Sequence, residues 1–307
     1  MEIFTLDSHK ENVLTTPLPS VEGINPSYKW LPAGSWETVF DFLRQQFPNV
    51  EKAVWLARMA KGEVADENGT RINAKSPYRP GACIFYYREL QSERKIPFAE
   101  SIIYRDEHIL AADKPHFLPV IPSGRFLRET LLVRLRAKES LEHIVPLHRL
   151  DRETAGIVLF SVNPLTRGNY AALFNDRKVQ KVYEAIAGSR SDLDFPTTRR
   201  SRMTAGEPFF RMKEIDGEPN SETRIDIIEK RNGVNLYRLN AVTGKKHQIR
   251  VHLAALGIPV LNDKFYPEAS AAGEDDFANP LKLLAKSISF QDPLTGRARH
   301  FQSVRKL

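Results

Sequence analysis

The chain has 307 residues, 41% of them hydrophobic, which is enough to bury one large core or two smaller ones. Its formal net charge of +7 favours a polyanionic partner such as a nucleic acid. A single cysteine excludes an internal disulfide, no apolar run reaches the roughly 18 residues of a membrane span, and without a secretory signal we expect a cytoplasmic protein.

The N-terminal third is predicted to hold an arm and a small module. Residues 1–34 contain several prolines and little periodicity, which predicts an extended arm. From Ser35, a predicted helix N-cap, apolar residues recur at helical spacing, and a second helix is predicted to end at Gly62. Short strands are predicted around the Asn68-Gly69 turn. Residues 35–95 are therefore predicted to form a compact module that ends in a charged linker.

Residues 96–307 are predicted to form a larger domain. Helices are expected at 164–175 and 246–256, whereas 190–220 and 268–280 are predicted to be loops or insertions. Because strands outnumber helices, we predict an α+β domain with a mixed, mostly antiparallel sheet. The predicted strands are Ile102–Tyr104, Ile109–Ala112, Gly156–Phe160, Val182–Ile186, Ile225–Ile228 and Val234–Leu239.

A charged cluster, His148-Arg149-Leu150-Asp151-Arg152, stands directly before the apolar strand that begins near Gly156. Turns before buried strands are normally made of small or amide-bearing residues. Two interpretations of Asp151 follow: a local ion pair in a turn, or an active-site carboxylate held at a strand edge by neighbouring cations.

Two further segments carry candidate functional residues. Lys181-Val182-Tyr183 leads basic residues into a strand, which is also the pattern of a solvated charge run before a strand with one packed tyrosine. The segment from Lys245 to Arg250 begins a predicted helix with two lysines, and a helix N-terminus of this kind suits phosphate. His247 and His252 are five residues apart rather than four, so no helical metal site is predicted.

Taken in order, these segments resemble the RluA-type family of RNA pseudouridine synthases. That family has a His-Arg-Leu-Asp signature before an apolar strand, a Lys-x-Tyr-x-Ala segment and a Gly-x-x-His-Gln-Ile-Arg-x-His helix. Two further matches are Asp113-Lys114-Pro115 and Asn262-Asp263-Lys264-Phe265-Tyr266. The sequence departs from the usual pattern at Ala155, where Ser is common, and at Lys245, where Arg is common.

The resemblance implies an enzyme that isomerises uridine in structured RNA, ribosomal or transfer, without a cofactor. It implies Asp151 as the catalytic carboxylate, Tyr183 against the target base and Arg250 as the partner of Asp151. Whether the carboxylate forms a covalent adduct or acts as a base stays open. We expect a monomer whose RNA contacts come from basic and polar side chains near the motifs: His148, Arg149, Arg152, Lys181, Lys245, Lys246, His247 and Gln248.

Three alternatives remain open from the sequence. The module at 35–95 looks like the small alpha-L RNA-binding module, and the alternative is a protein-binding or purely structural cap. The whole chain could be a non-catalytic RNA-binding protein on the same fold, although a carboxylate facing a phosphate groove would then repel RNA. A nucleotide-dependent metabolic enzyme would need a Gly-rich phosphate loop, and neither common form of that motif occurs.

Overall fold

The computed structural model describes residues 16–88, 92–269 and 274–307, which divide into two compact units. The first unit ends at Ser92 and the second comprises Glu93–Leu307. The first 15 residues of the predicted arm lie outside the described residues, as do 89–91, where the predicted linker begins, and 270–273 in the second predicted loop.

The first unit packs two short helices against a small antiparallel sheet. The sheet has the order β1-β3-β2, and its core is built from side chains such as Phe42, Leu43, Trp55 and Ile84. The elements in chain order are β1 (Ser27–Trp30), α1 (Val39–Gln46), α2 (Lys52–Lys61), β2 (Val64–Asp66) and β3 (Cys83–Tyr86).

Two predictions for this unit need correction. Residues 27–30, assigned to the arm, form β1, because they alternate in burial and pair with β3 from Ser27 opposite Tyr86 to Trp30 opposite Cys83. Helix α1 is capped by Thr38 and not by Ser35, because the Thr38 hydroxyl accepts the Asp41 backbone N–H at 3.1 Å. The predicted end of α2 is confirmed, since Gly62 is left-handed with φ 76°.

The second unit is built on one large sheet with three helices. Its helices are α3 (Leu131–Glu139), α4 (Arg167–Asn175) and α5 (Gln248–Ala255). Its strands are β4 (Ser101–Arg105), β5 (Ile109–Lys114), β6 (Val145–Pro146), β7 (Ala155–Ser161), β8 (Gln180–Gly188), β9 (Thr197–Ala205), β10 (Met212–Ile215), β11 (Ser221–Lys230), β12 (Val234–Ala241), β13 (Leu283–Gln291) and β14 (Ala298–Gln302).

The sheet of the second unit is mixed and mostly antiparallel. In the described residues its order is β10-β9-β11-β12-β8-β13-β7-β5-β4, with β14 added at β13 and β6 at β7. The β13–β7 pair is parallel, and the other pairs in this sheet are antiparallel. The predicted α+β fold class is therefore confirmed.

Strands β5 and β7 of this sheet are covered on both faces. Every residue of β5 and β7 is buried, as expected for strands that read as continuous apolar runs. Helix α3 packs on one face through Leu131 and Leu135, and α4 packs on the other through Tyr170 and Leu173. Helix α5 lies further along the sheet, where Ile249 and Leu253 pack against β8, β11 and β12.

The predicted loop at 190–220 is wrong for much of its length, because β9 and β10 form an antiparallel hairpin there. Strand β9 also pairs with β11, so the hairpin extends the main sheet. The helix predicted from residue 246 begins at Gln248, because His247 is left-handed with φ 55° and cannot continue a right-handed helix.

Candidate active site

The charged loop before β7 sits where β7 meets β13. Gly156 has φ 117°, and a Cβ there would overlap the Ala285 carbonyl of β13, so only glycine allows the two strands this close. The loop closes on itself through the Thr154 N–H, which donates to the Asp151 carbonyl at 3.1 Å. The side chain of Asp151 remains 23% exposed at this strand end.

Two buried side chains hold the backbone of this loop. The Lys114 ammonium, at the end of β5, donates to the carbonyls of Pro115, Leu118 and Arg152 at 3.1, 2.8 and 3.1 Å, which uses all three of its protons. Burial lowers the pKa of Lys114 to about 7. His116 Nδ1 lies 2.6 Å from the Glu153 carbonyl, and burial lowers its pKa to about 4, so it is neutral and donates.

Arg250 on α5 connects the loop to a second carboxylate. Its Nε and Nη2 donate to Asp263 at 2.7 and 2.6 Å, whereas its Nη1 reaches Asp151 Oδ2 at 3.5 Å and Glu153 at 3.8 Å. Burial opposes its charge, but the hydrogen bonds to Asp263 and the three nearby carboxylates raise the pKa of Arg250 above its ordinary value. The expected Arg250–Asp151 contact is present, although it is the weaker of the two.

A second donor faces the other oxygen of Asp151. His247 Nε2 lies 3.9 Å from Asp151 Oδ1, and its Nδ1 lies 2.9 Å from the Tyr266 hydroxyl. The rings of Phe265 and Tyr266 cover both His247 and the Arg250 guanidinium. Burial lowers the pKa of His247, while the charge of Asp151 acts in the opposite direction.

Tyr183 is brought to the same place by strand register. Ala285 of β13 is the register partner of Gly156 on one side and of Tyr183 on the other. Burial raises the pKa of the Tyr183 hydroxyl, and the charge of Asp151 raises it further, so the phenol is protonated at neutral pH. The three residues predicted to be catalytic are therefore neighbours in the structure.

Several of the predicted RNA-binding residues are basic side chains on the segments that meet near Asp151, and we call them the basic rim. Arg149, Lys245 and Lys246 are exposed, and the charge of Lys246 is close enough to interact with Asp151 and Arg149. Lys181 is half-buried on β8, and burial lowers its pKa. Its ammonium lies close to Gly244, since a Cβ added to that glycine would be 3.3 Å from it. This rim is suited to phosphate groups.

Gln248 needs correction, because its amide is used entirely inside the fold. Its Nε2 donates to the Glu222 carbonyl and the Thr223 hydroxyl, both at 2.9 Å. Its Oε1 accepts from the Thr243 hydroxyl and the Lys245 N–H at 2.6 and 3.1 Å. We therefore reassign Gln248 from an RNA contact to a side chain that positions the start of α5.

Two other predicted RNA contacts are also engaged by the protein. His148 Nε2 accepts the Leu159 N–H at 3.1 Å, and its ring stacks on Phe174 with centroids 4.9 Å apart. Burial lowers the pKa of His148 to about 3, so it adds no positive charge. Arg152 donates to both oxygens of Asp275 at 2.8 and 2.9 Å, which balances its charge. The side chains of both residues are therefore occupied by contacts within the protein, and these contacts position the loop.

The sequence motifs contained two site residues to which no role had been assigned. Lys114 and Asp263 stood in the Asp-Lys-Pro and Asn-Asp-x-x-Tyr matches, but only the structure shows that they hold the Asp151 loop and the Arg250 fork. Both are almost fully enclosed. A buried charge must be paired, so a single Lys or Asp within a motif can indicate a residue that holds another group of the site in place.

The comparisons with known proteins agree with this geometry. A family model described as RNA pseudouridylate synthase matches residues 108–255, which include the Asp151 loop, Tyr183 and Arg250. An uncharacterized RNA pseudouridine synthase of Synechocystis is 30% identical over 234 residues, covering 74% of this chain and 79% of the relative. The chain belongs to the RNA pseudouridine synthase family. This synthase is thus an RNA-modifying isomerase.

A second relative supports the family, and a solved structure supports the fold. The dual-specificity RNA pseudouridine synthase RluA of Vibrio vulnificus is 32% identical to this synthase over 204 residues, with 64% of the chain and 79% of the relative covered. The predicted RluA-type resemblance is confirmed. The fold is similar to that of human RNA pseudouridylate synthase domain containing 1, with a TM-score of 0.57 and 23% identity over 70% of this chain and 86% of that one.

One structural finding bears on location. Among residues 16–88, 92–269 and 274–307, no helix of this synthase is long and apolar enough to cross a bilayer.

Proposed function

We propose that Asp151 is the catalytic carboxylate of this synthase and that its substrate is a uridine in structured ribosomal or transfer RNA. The observation that carries the proposal is the position of Asp151. Its carboxylate is partly exposed at a strand end, faces a buried Arg250 at 3.5 Å, and lies beside Tyr183 and a rim of lysines. A carboxylate inside a basic rim is costly for a protein that only binds RNA, because it repels phosphate.

The reaction needs no external reagent. The bond between N1 of uracil and C1′ of ribose breaks, the base turns, and a bond forms between C5 and C1′. The proton on C5 leaves and the nitrogen at position 1 gains one, so the product has the mass of the substrate. As N1 departs, the sugar carbon becomes electron-poor, and an ionised carboxylate can bond to it or remove a proton from the sugar.

Each proposed catalytic residue has a distinct task. Arg250 supplies a fixed positive charge next to Asp151, opposite one of its two carboxylate oxygens. Tyr183 is a neutral phenol beside the carboxylate, and its ring is suited to stacking on the uracil ring.

The rim residues and the first unit serve RNA binding in this proposal. A target base inside folded RNA must be extruded, at a cost of about a few kcal/mol. Arg149 is exposed and two residues from Asp151, so it is suited to fill the vacated space or to hold the backbone. We assign RNA binding to the first unit, which ends at Ser92 and contains β1 as well as most of the module predicted at 35–95. The predicted cytoplasmic location and monomeric state stay predictions.

Pseudouridine mapping of total RNA tests the proposal. RNA from cells with and without this gene is treated with carbodiimide, which marks pseudouridine, and the stops in reverse transcription are compared. We expect at least one site, in ribosomal or transfer RNA, that disappears with the gene. It should return with the wild-type gene but not with Asp151→Asn. Identical maps, or restoration by Asp151→Asn, would contradict the proposal.

A further inference from the structure

We propose that His247 is a positioning residue for Asp151, held as the neutral Nε2–H tautomer by the Tyr266 hydroxyl. The inference rests on the proposed catalytic role of Asp151. It gives His247 a task different from the RNA contact predicted for it. Its basis is a chain of contacts that runs from β10 through Tyr266 and His247 to the Asp151 carboxylate.

The first step is the Tyr266 hydroxyl. Its oxygen accepts the Met212 backbone N–H at 2.8 Å, so its own proton is available for donation. His247 Nδ1, at 2.9 Å, is the acceptor that the described residues offer to it. If Nδ1 carried the proton instead, the hydroxyl proton would have no partner in a largely buried position.

The second step follows from the two nitrogens of a neutral imidazole. When Nδ1 accepts, Nε2 carries the hydrogen, and Nε2 points toward Asp151 Oδ1 at 3.9 Å. The opposite tautomer would turn a lone pair toward a carboxylate. Arg250 faces Oδ2 of the same group, so each oxygen of Asp151 has one donor opposite it.

The third step is that the ring is fixed in place. His247 is only 7% exposed and is packed between its neighbours Phe265 and Tyr266. Its left-handed backbone, with φ 55°, turns the chain just before α5. Histidine is among the residues that tolerate this conformation better than most.

Burial favours the neutral His247 ring, and the charges around it act in both directions. The groups that face it are Asp151 and Glu153 from the loop before β7, Arg250 on α5, Lys246 next to it in the chain, and Tyr266. The two cations and burial oppose protonation, and the two carboxylates favour it. The lowered pKa of His247 agrees with a neutral hydrogen-bond donor at pH 7.

At 3.9 Å, the Nε2–Oδ1 separation exceeds a hydrogen bond, so the carboxylate is oriented without being tightly bound. A carboxylate fixed by strong hydrogen bonds would be a weaker nucleophile and a weaker base. The arrangement keeps Asp151 reactive, and the contact can shorten when the substrate displaces water from the site.

Single-turnover kinetics on total RNA from cells lacking the gene would test this role. We expect Tyr266→Phe to slow pseudouridine formation about tenfold and His247→Phe about ten- to a hundredfold, with RNA affinity changed less than about twofold. His247→Gln, which keeps an N–H donor, should restore most of the rate lost in His247→Phe. The matched control is Tyr237→Phe, which removes an equally buried hydroxyl that bonds Gly188. This control should keep the wild-type rate.

Nitrogen-15 NMR of labelled histidine gives a readout that a purely structural role would not move. We expect the His247 ring in the wild type at pH 7 to be neutral with hydrogen on Nε2, and Tyr266→Phe to shift it toward a mixture of tautomers. A charged or Nδ1–H ring in the wild type would overturn the proposal. So would wild-type rates in both Tyr266→Phe and His247→Phe.

The Asp151→Asn variant separates this inference from the function on which it rests. If that variant is inactive while the His247 and Tyr266 variants are fully active, only the positioning role is wrong. If Asp151→Asn converts RNA like the wild type, the proposed function fails and the positioning role fails with it.

Discussion

Arg250 makes its two shortest hydrogen bonds to Asp263, at 2.6 and 2.7 Å, and not to Asp151. Asp263 is fixed in turn by the backbone N–H groups of Phe265 and Tyr266, at 2.8 and 3.2 Å. Asp263 therefore positions the guanidinium through Nε and Nη2, and only Nη1 faces the active-site loop. This arrangement supplies a permanent charge to Asp151 while leaving the carboxylate accessible to substrate.

Removing the Asp263 charge should weaken both the fold and the reaction. In Asp263→Asn, Arg250 keeps its buried charge but loses its closest counter-charge, and breaking a buried pair in this way costs about 3–5 kcal/mol. We expect a lower free energy of unfolding in urea and a conversion rate at least about tenfold lower. As a control, Asp192→Asn removes an exposed pair with Arg190 and should change neither. Unchanged stability and rate in Asp263→Asn would show that Arg250 does not depend on it.

Replacement of Arg250 tests the need for a planar fork. Lysine carries the charge, but its donors are on a single nitrogen and cannot reproduce the planar fork that contacts Asp263 and Asp151 together. We expect Arg250→Lys to lose about two orders of magnitude in single-turnover rate, and Arg250→Ala to lose most activity. The exposed Arg238 on β12 provides the control, since Arg238→Lys should retain the wild-type rate. Wild-type turnover in Arg250→Ala would mean that another cation supports Asp151.

Lys114 should make stability depend on pH in a specific direction. Its pKa is lowered to about 7 in the fold, whereas a lysine in the unfolded chain titrates near about 10.4. Between these values the unfolded chain binds more protons, so this residue makes the free energy of unfolding rise with pH, by at most about 1.4 kcal/mol per pH unit.

Urea unfolding of the wild type and Lys114→Met at pH 7.5, 8.5 and 9.5 measures this contribution. The variant lacks the titration, so the difference in stability between the two proteins should change with pH in favour of the wild type. Lys213→Met, at an exposed position on β10, should run parallel to the wild type. Parallel curves for Lys114→Met would contradict the lowered pKa.

The basic rim predicts a change in the salt dependence of RNA binding. Neutralising Lys245 and Lys246 together should remove about two phosphate contacts, which lowers the slope of log affinity against log salt by about 1.4 to 1.8. Lys213→Ala combined with Lys230→Ala, on exposed parts of β10 and β11, removes the same charge elsewhere. Filter binding at several salt concentrations distinguishes the two pairs. Equal slopes for the two double variants would argue against specific phosphate binding at the basic rim.

Much of the site could be predicted because its residues stand in short local motifs. Asp151, Tyr183 and Arg250 were named from three segments, and the structure brings them together. The strand that follows the Asp151 loop was also predicted, because β7 is a continuous apolar run that a local pattern reveals.

The remainder depends on long-range packing. Strand β13, which aligns Gly156 with Tyr183 through Ala285, was not predicted, because its pairing to both neighbours is set by the whole sheet. The β9–β10 hairpin lies in the segment predicted to be a loop, because the arginine-rich sequence of β9 resembles a solvated segment. The internal hydrogen bonds of Gln248 and the pairing of Arg250 with Asp263 could not be predicted. They depend on side-chain geometry that the spacing of residues along the chain does not determine.

The most direct test of the account is single-turnover conversion by purified Asp151→Asn. The RNA is total RNA from cells lacking the gene, and the product is read by carbodiimide labelling. The control is Asp194→Asn, which makes the same change at an exposed position between β8 and β9. We predict that Asp151→Asn binds RNA with wild-type affinity and forms no pseudouridine, while the control is fully active. Pseudouridine formed by Asp151→Asn at the wild-type rate would contradict the central claim.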